Sequence, residues 1–257
     1  MLKKDRQDHI LRMVQEQDMV KIKDLTALFD ASVITIRRDL DELESRGLIK
    51  KVYGGAVLVK QKEQARVQPF FVTRIGRHHE EKRKIGIAAA EMVRENETIM
   101  LDIGTTALEI AKALKNRENI TVLTSSLPVL NELAGSRLSV FSLGGQLRGN
   151  ELALCGGLAL NAINEFCIDK AFVGAGGITL KNGITDYNRE SAELCSAVVQ
   201  RAAETIVVTD SSKFGRDASS VIGLLSSVDV VMTDSGIPEE YRCALNDMGV
   251  KLIIVDG

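Results

Sequence analysis

From Glu80 onward, short apolar, β-prone runs alternate with helical stretches, and that alternation leaves few folds open to the chain. The runs are Thr98-Ile99-Met100-Leu101, Ile120-Thr121-Val122-Leu123, Leu138-Ser139-Val140-Phe141, Ala171-Phe172-Val173, Thr205-Ile206-Val207-Val208, Val228 to Met232 and Val250 to Val255. Helical patterns lie between most of them, and a helix from Lys82 to Val93 with Ile85, Ala88, Ala89 and Met92 in register precedes the first. Such alternation predicts an α/β domain on a largely parallel sheet.

The residues with chemistry to offer stand at the carboxyl ends of these runs. Asp102-Ile103-Gly104-Thr105-Thr106 opens into a helix. Thr124-Ser125-Ser126, Gly144-Gly145, Gly174-Ala175-Gly176-Gly177, Asp210-Ser211-Ser212-Lys213 and Thr233-Asp234-Ser235 end five other runs. In open α/β sheets the ligand crevice lies outside the carboxyl ends of the strands. Small hydroxyls and bare amides at a helix N-terminus form a phosphate site. Any one such turn is explained by capping or tight-turn geometry, whereas six together with a lysine point to an anion. The expected ligand-facing residues are Asp102, Gly104, Thr105, Thr106, Thr124, Ser125, Ser126, Gly144, Gly145, Asp186 and Lys213. Amides and lysine would hold a phosphate, and Asp102 and Asp186 the hydroxyls of a polyol.

Other chemistries fail. There is no Gly-x-x-x-x-Gly-Lys-Ser/Thr string, and Thr179 stands where a dinucleotide fingerprint needs its third glycine. The four cysteines, Cys155, Cys167, Cys195 and Cys243, lie 12, 28 and 48 residues apart, so no Cys-x-x-Cys pair exists. They read as reduced apolar fillers, and no metal or cofactor is expected.

The first sixty residues have a different pattern. Lys3 to Gln17 reads as a helix carrying Ile10, Leu11 and Val14 on one face, and Met19 to Ile22 as a short extended stretch. Asp24 is placed to cap a second helix bearing Leu25, Leu28 and Phe29. Asp30-Ala31-Ser32 then turns the chain, and Ser32 caps a third helix whose stripe is Val33, Ile36, Leu40 and Leu43, ended by Gly47. Two helices joined by a tight turn form a helix-turn-helix, whose second helix enters the major groove. Leu48 to Tyr53 and Ala56 to Val59 flank Gly54-Gly55, a hairpin signal that completes a winged helix.

Off the stripe lie Ser32, Thr35, Arg37 and Arg38, suited to base edges and phosphates. The structural alternative pairs Arg37 with Asp41 and Arg38 with Glu42 at i, i+4. Lys50 and Lys51 on the wing would reach phosphates, and Lys21, Tyr53, Gly54 and Gly55 complete the expected DNA-facing set. The net charge of −2 divides unevenly: residues 1–78 carry 16 Lys and Arg against 11 Asp and Glu, a net of +5. A basic head on an acidic body places the head alone on a polyanion. The expected organisation is a winged helix-turn-helix domain over 1–59, a linker over 60–78 broken by Pro69, and a second domain over 79–257.

Ser32-x-x-Thr35-Ile36-Arg37-Arg38-Asp39-Leu40, with Leu43-Glu44 and Gly47-Leu48, resembles the DNA-binding signature of the DeoR family, and Tyr53-Gly54-Gly55-Ala56 resembles its wing motif. Leu101-Asp102-x-Gly104-Thr105-Thr106, Gly144-Gly145, Asp169-Lys170-Ala171-Phe172-x-Gly174, Asn182-Gly183 and Asp210 to Gly215 resemble its sensor domain. Three departures are visible: Tyr53 where histidine is commoner, Ser125 where the family usually has asparagine, and Cys155 where an aliphatic residue is common. The resemblance implies an isomerase-like sensor, similar to ribose-5-phosphate isomerase and glucosamine-6-phosphate deaminase, that responds to phosphorylated sugars.

The expected protein is a sequence-specific DNA-binding transcriptional regulator and not an enzyme: a repressor of a carbohydrate-catabolism operon, released by a phosphorylated sugar. Its partners are double-stranded operator DNA and that effector, with no membrane contact, in a homo-oligomer (dimer or tetramer). No apolar run approaches the roughly 20 residues needed to span a bilayer, and the charged opening Met1-Leu2-Lys3-Lys4-Asp5 predicts a cytoplasmic location. The competing expectation is a sugar-phosphate isomerase or deaminase with an attached DNA module, its acid–base groups drawn from Asp102, Asp186, Glu190 and Lys213.

Overall fold

In the computed structural model, residues 3–17, 19–45, 48–52, 54–58 and 70–255 are described, and the chain divides into two units, 1–70 and 71–257. In the first unit α1 (Lys3–Gln17), β1 (Met19–Lys21), α2 (Ile22–Phe29) and α3 (Val33–Ser45) lead to β2 (Ile49–Val52) and β3 (Gly55–Leu58). The strands form an antiparallel sheet in the order β1-β3-β2. Ile10 and Val14 of α1, Leu25 of α2 and Ile36, Leu40 and Leu43 of α3 close on Val20, Ile49 and Ala56 from the three strands. Each helix contributes residues three or four apart, so each buries one stripe.

Four details differ from the sequence reading. Asp24 is no N-cap: α2 starts at Ile22, whose N–H donates to the Gly54 carbonyl over 2.9 Å, and Asp24 sits in its first turn. Strand pairing thus satisfies a donor that a cap would otherwise serve. Leu28 is exposed, and Val33 is 47% exposed because it stands at the first helical position, beyond the packed stripe. The glycine pair does not work by two positive φ angles. Gly54 has φ +81°, whereas a Cβ on Gly55 would overlap the Val20 carbonyl oxygen, so close β1–β3 approach requires the second glycine. Ser32 does cap α3, accepting from Thr35 N–H at 3.1 Å. Gly47, the expected helix stop, and the linker positions 60–69 lie outside the described residues.

The second unit opens earlier than the sequence boundary at 79. Phe71 is buried and its N–H donates to the Asn150 carbonyl over 2.9 Å, so 71–78, read as linker, belongs to this unit. α4 (Phe71–Arg74) and α5 (His79–Glu91) precede β4 (Thr98–Leu101), α6 (Thr105–Leu114), β5 (Glu118–Thr124), α7 (Leu127–Leu133) and β6 (Arg137–Ser142). A hairpin of β7 (Gln146–Arg148) and β8 (Ala153–Cys155) leads to α8 (Gly157–Ala162) and β9 (Ile168–Val173). Then come β10 (Gly177–Thr179), β11 (Gly183–Asp186), α9 (Arg189–Arg201), β12 (Ala202–Val208), β13 (Ser220–Gly223), β14 (Val230–Thr233), α10 (Glu239–Asp247) and β15 (Lys251–Ile254).

Seven strands form one sheet in the order β15-β14-β12-β9-β4-β5-β6, parallel throughout. Successive residues of each strand feed opposite faces. Ile99, Leu101, Phe172, Ile206 and Val208 pack with α5, α6 and α7, while Met100, Ala171, Val173 and Val207 pack with α8, α9 and α10. With both faces covered, the strands read as continuous apolar runs. Gly86 of α5 lies against α6 so closely that a Cβ there would stand 2.6 Å from that of Glu109. The sheet grows outward in both directions from β4 and β9, and the carboxyl end of that pair is its topological switch point.

Candidate DNA-reading surface and ligand crevice

On α3 the acidic residues all have partners. Asp39 is buried and accepts from Arg6 Nε at 2.5 Å and Gln7 Nε2 at 3.3 Å. Glu42 meets Lys3 and accepts from Gln7 Nε2 at 2.7 Å. Asp41 pairs with Lys51, whose backbone N–H also donates to Glu44 at 2.7 Å. Arg37 and Arg38 are exposed, and neither forms an ion pair among the described residues, so the i, i+4 pairings weighed from sequence are absent. Lys21 and Lys50 are exposed too. Ser32 and Thr35 hydroxyls bond each other over 2.9 Å. Lys51 is therefore tied to α3, and Tyr53 lies outside the described residues. Residues 1–70 carry 14 Lys and Arg against 11 Asp and Glu, so the head is less basic than the count to residue 78 implied; pairing of the α3 acids elsewhere leaves Arg37 and Arg38 without an ion pair among the described residues.

In the second unit the polar strand ends gather at the switch point. Asp102, just past β4, is buried; its Oδ2 accepts from Gly174 N–H at 2.9 Å and its Oδ1 from Cys195 Sγ at 3.1 Å. Burial pushes this carboxyl up to about 6 against those hydrogen bonds. Glu151, in the β7–β8 turn, is driven up to about 7 by burial and by Asp186. Asp186, whose Oδ1 accepts from Asn188 N–H at 2.8 Å, is raised by burial. Arg74 lies within electrostatic reach of Asp102, Glu151 and Asp186, and burial lowers its own pKa.

Two further cations face the same region. Lys82 of α5 is buried, its Nζ donating to the carbonyls of Arg74 at 3.0 Å and Arg77 at 2.5 Å. Burial and the neighbouring Lys213, Arg74 and Arg77 bring it down to about 8. Lys213, in the turn after β12, is lowered by burial and by Arg74, Arg216 and Arg77, with Asp210 opposing. Arg74, Lys82 and Lys213 thus crowd one another, an arrangement that an anion relieves.

Of the predicted set, Asp186 lies within electrostatic reach of both Asp102 and Lys213. Thr105 and Thr106 are buried in the first turn of α6, and apart from its chain neighbours no heavy atom lies within 4 Å of the place a Cβ on Gly104 would take. Two predicted hydroxyls serve the fold: Thr124 Oγ1 accepts from Ser126 N–H at 3.0 Å, and Ser126 Oγ caps α7 through Val129 N–H at 3.4 Å. The buried Ser125 hydroxyl has no partner among the described residues. Gly144 and Gly145 have φ +72° and +119°, and Gly145 packs directly on the Cys155 carbonyl. Glu190 pairs with Arg148 at 2.9 Å. All four cysteines are free; Cys155 and Cys195 are buried, but Cys167 and Cys243 are exposed, so the filler reading describes half of them.

Sequence reasoning missed Arg74, Lys82, Glu151 and Cys195. Lys82 was within reach, since it falls three residues before Ile85 and seven before Ala89 on the buried stripe of α5.

Comparison with known proteins gives a family match in each unit. The DeoR-like helix-turn-helix domain family matches residues 6–62 and the DeoR C terminal sensor domain family matches residues 77–235. The chain is 34% identical to the HTH-type transcriptional regulator GolR of Listeria innocua, covering 98% of each. It is 36% identical to the transcriptional repressor AccR of Agrobacterium fabrum (93% of this chain, 95% of that one). It is 32% identical to the glycerol-3-phosphate regulon repressor of Escherichia coli K12 (96% and 97%). A ribose 5-phosphate isomerase A from Methanocaldococcus jannaschii aligns at 18% identity and TM-score 0.41 over 53% of this chain and 55% of that one. Among the described residues no helix is long and apolar enough to cross a membrane. The chain belongs to the DeoR family of helix-turn-helix transcriptional regulators.

Proposed function

We propose that this regulator is a cytoplasmic repressor of a carbohydrate-catabolism operon that holds operator DNA as a homo-oligomer and lets go when a phosphorylated sugar fills the crevice. One observation carries the effector reading: Arg74, Lys82 and Lys213 crowd together beside the buried carboxylates Asp102 and Glu151 and the half-buried Asp186. The cations and the open N-terminus of α6 hold the phosphate, and the carboxylates accept from sugar hydroxyls. Arg37, Arg38, Lys50 and Lys21 face the duplex, and two-fold protein symmetry matches repeated half-sites. The names of the relatives favour repression, and one of them names a glycerol-3-phosphate regulon. Ligand binding favours an arrangement unable to hold both half-sites. The chain binds its effector without turning it over.

The test selects duplexes from a random-sequence pool with the full-length protein, then titrates the selected DNA complex with a panel of sugar phosphates and the matching free sugars. Release by one phosphate ester, and weaker release by its free sugar, is the expected result. Indifference to every compound would overturn the effector assignment. Conversion of any ester to its ketose or deaminated product would favour an enzyme.

A further inference from the structure

The outward face of α3 holds an apolar residue that the cationic assignments leave out. Ile34 is 67% exposed, the second residue of the helix, and has no part in the core that Ile36, Leu40 and Leu43 build. Residues three, four and seven apart share a helix face, so Ile34 stands in one row with Arg37, Arg38 and Asp41. Arg37 and Arg38 form no ion pair among the described residues, and Asp41 is neutralised by Lys51, leaving the row positive around one branched aliphatic side chain. Ser32 and Thr35, the polar residues flanking Ile34, spend their hydroxyls on each other and on the helix cap.

We infer that Ile34 reads a thymine, packing against its 5-methyl group in the major groove while Arg37 and Arg38 hold phosphates or base edges beside it. The inference rests on the DNA-reading function proposed above. Three physical points support it. The first turn of a recognition helix is the part that meets base edges. Thymine is the only base whose major-groove edge presents a methyl group, and apolar side chains recognise it. The charge of the row complements phosphate and excludes a basic or purely apolar partner.

The test uses the full-length protein and the duplex selected from the random pool. Each thymine of the half-site is replaced in turn by uracil, which keeps every hydrogen-bonding group and lacks only the methyl. Wild-type protein should lose about fourfold in affinity at one thymine, the effect of one methyl group left unburied. I34A should bind the unmodified duplex more weakly and show no further loss at that position. Because Ile34 packs in no core, the alanine variant keeps the fold, which circular dichroism and the first thermal transition check. Equal wild-type affinity for every uracil duplex, a half-site with no thymine, or an undiminished uracil penalty in I34A would each overturn the inference. A selection that enriches no sequence would instead overturn the DNA-reading function itself, and this inference with it.

Discussion

Gly174 donates its backbone N–H to Asp102 Oδ2 over 2.9 Å, tying the carboxyl end of β9 to that of β4 where the sheet changes its direction of growth. The other oxygen, Oδ1, accepts from the buried Cys195 thiol of α9. Asp102 is thus held by neutral donors in a dry setting, with Arg74 supplying charge from α4. A carboxylate anchored in this way stabilises the unit only weakly in its ionised form.

The stability of the second unit should therefore fall as pH rises from about 4 to 7. Both Asp102 and Glu151 have raised values, about 6 and about 7, so the folded state retains protons that the unfolded state has already lost. Their contribution is fully present below the ordinary carboxyl range and is lost as pH passes through the folded values. For Asp102 the difference is on the order of 3 kcal/mol. Calorimetry across this window should give a sloping transition temperature for wild type and a flatter one for D102N and E151Q. A D102N profile parallel to wild type would place the effect elsewhere.

Arg74 is the cation shared by Asp102, Glu151 and Asp186, and R74Q should expose that dependence. Without it the three carboxyls rise further, so R74Q should lose more stability at pH 8 than at pH 5. It should also lose the stabilisation that a sugar phosphate gives wild type, roughly 2.7 kcal/mol for ligand at about 100 times its Kd and read as a thermal shift. An unchanged ligand shift in R74Q would remove Arg74 from the phosphate site.

The periodicities that organise the two units are plain in the sequence, and the reason is physical. Ile10, Val14, Ile36, Leu40 and Leu43 are buried because their spacing lines them up on one face of each helix, and the parallel strands are apolar throughout because both faces are covered. Arg74 escaped because it sits on one short helical turn within a polar stretch, where no period accumulates and only Phe71 marks the docking. Glu151 sits in the turn of a three-residue hairpin, and its neighbours in space, Asp186 and Arg74, are remote in sequence. The i, i+4 pairs of α3 failed for a related reason: long-range partners, Lys51 from β2 and Lys3 and Gln7 from α1, took the acids first.

Asp39 lies inside the family's DNA signature, yet it should act on stability and not on DNA readout. Its side chain is 1% exposed and is held by Arg6, itself 13% exposed, and Gln7. Removing one partner of a buried ion pair costs about 3–5 kcal/mol. D39A should lower the unfolding free energy read from the first urea transition by an amount of that order and weaken specific and random DNA alike. Selective loss of operator binding at unchanged stability would contradict this.

Lys50 and Lys51 are neighbours on β2 and should behave differently on DNA. Side chains of successive strand residues point to opposite faces. Lys51 turns toward α3, where Asp41 and Glu44 hold it, while Lys50 is exposed and forms no ion pair among the described residues. A lysine on a phosphate releases condensed counterions, so its loss reduces the salt slope of binding by about 0.9. K50A should weaken operator and random duplexes equally and show that reduced slope. K51A should instead leave the slope unchanged, because Lys51 meets the acids of α3 and not the duplex, and should weaken binding by loosening the wing from the recognition helix. Restoring the pair with charges reversed, K51E with D41K, should then recover part of the lost affinity, whereas a phosphate contact at Lys51 would make that double variant bind worse than K51A.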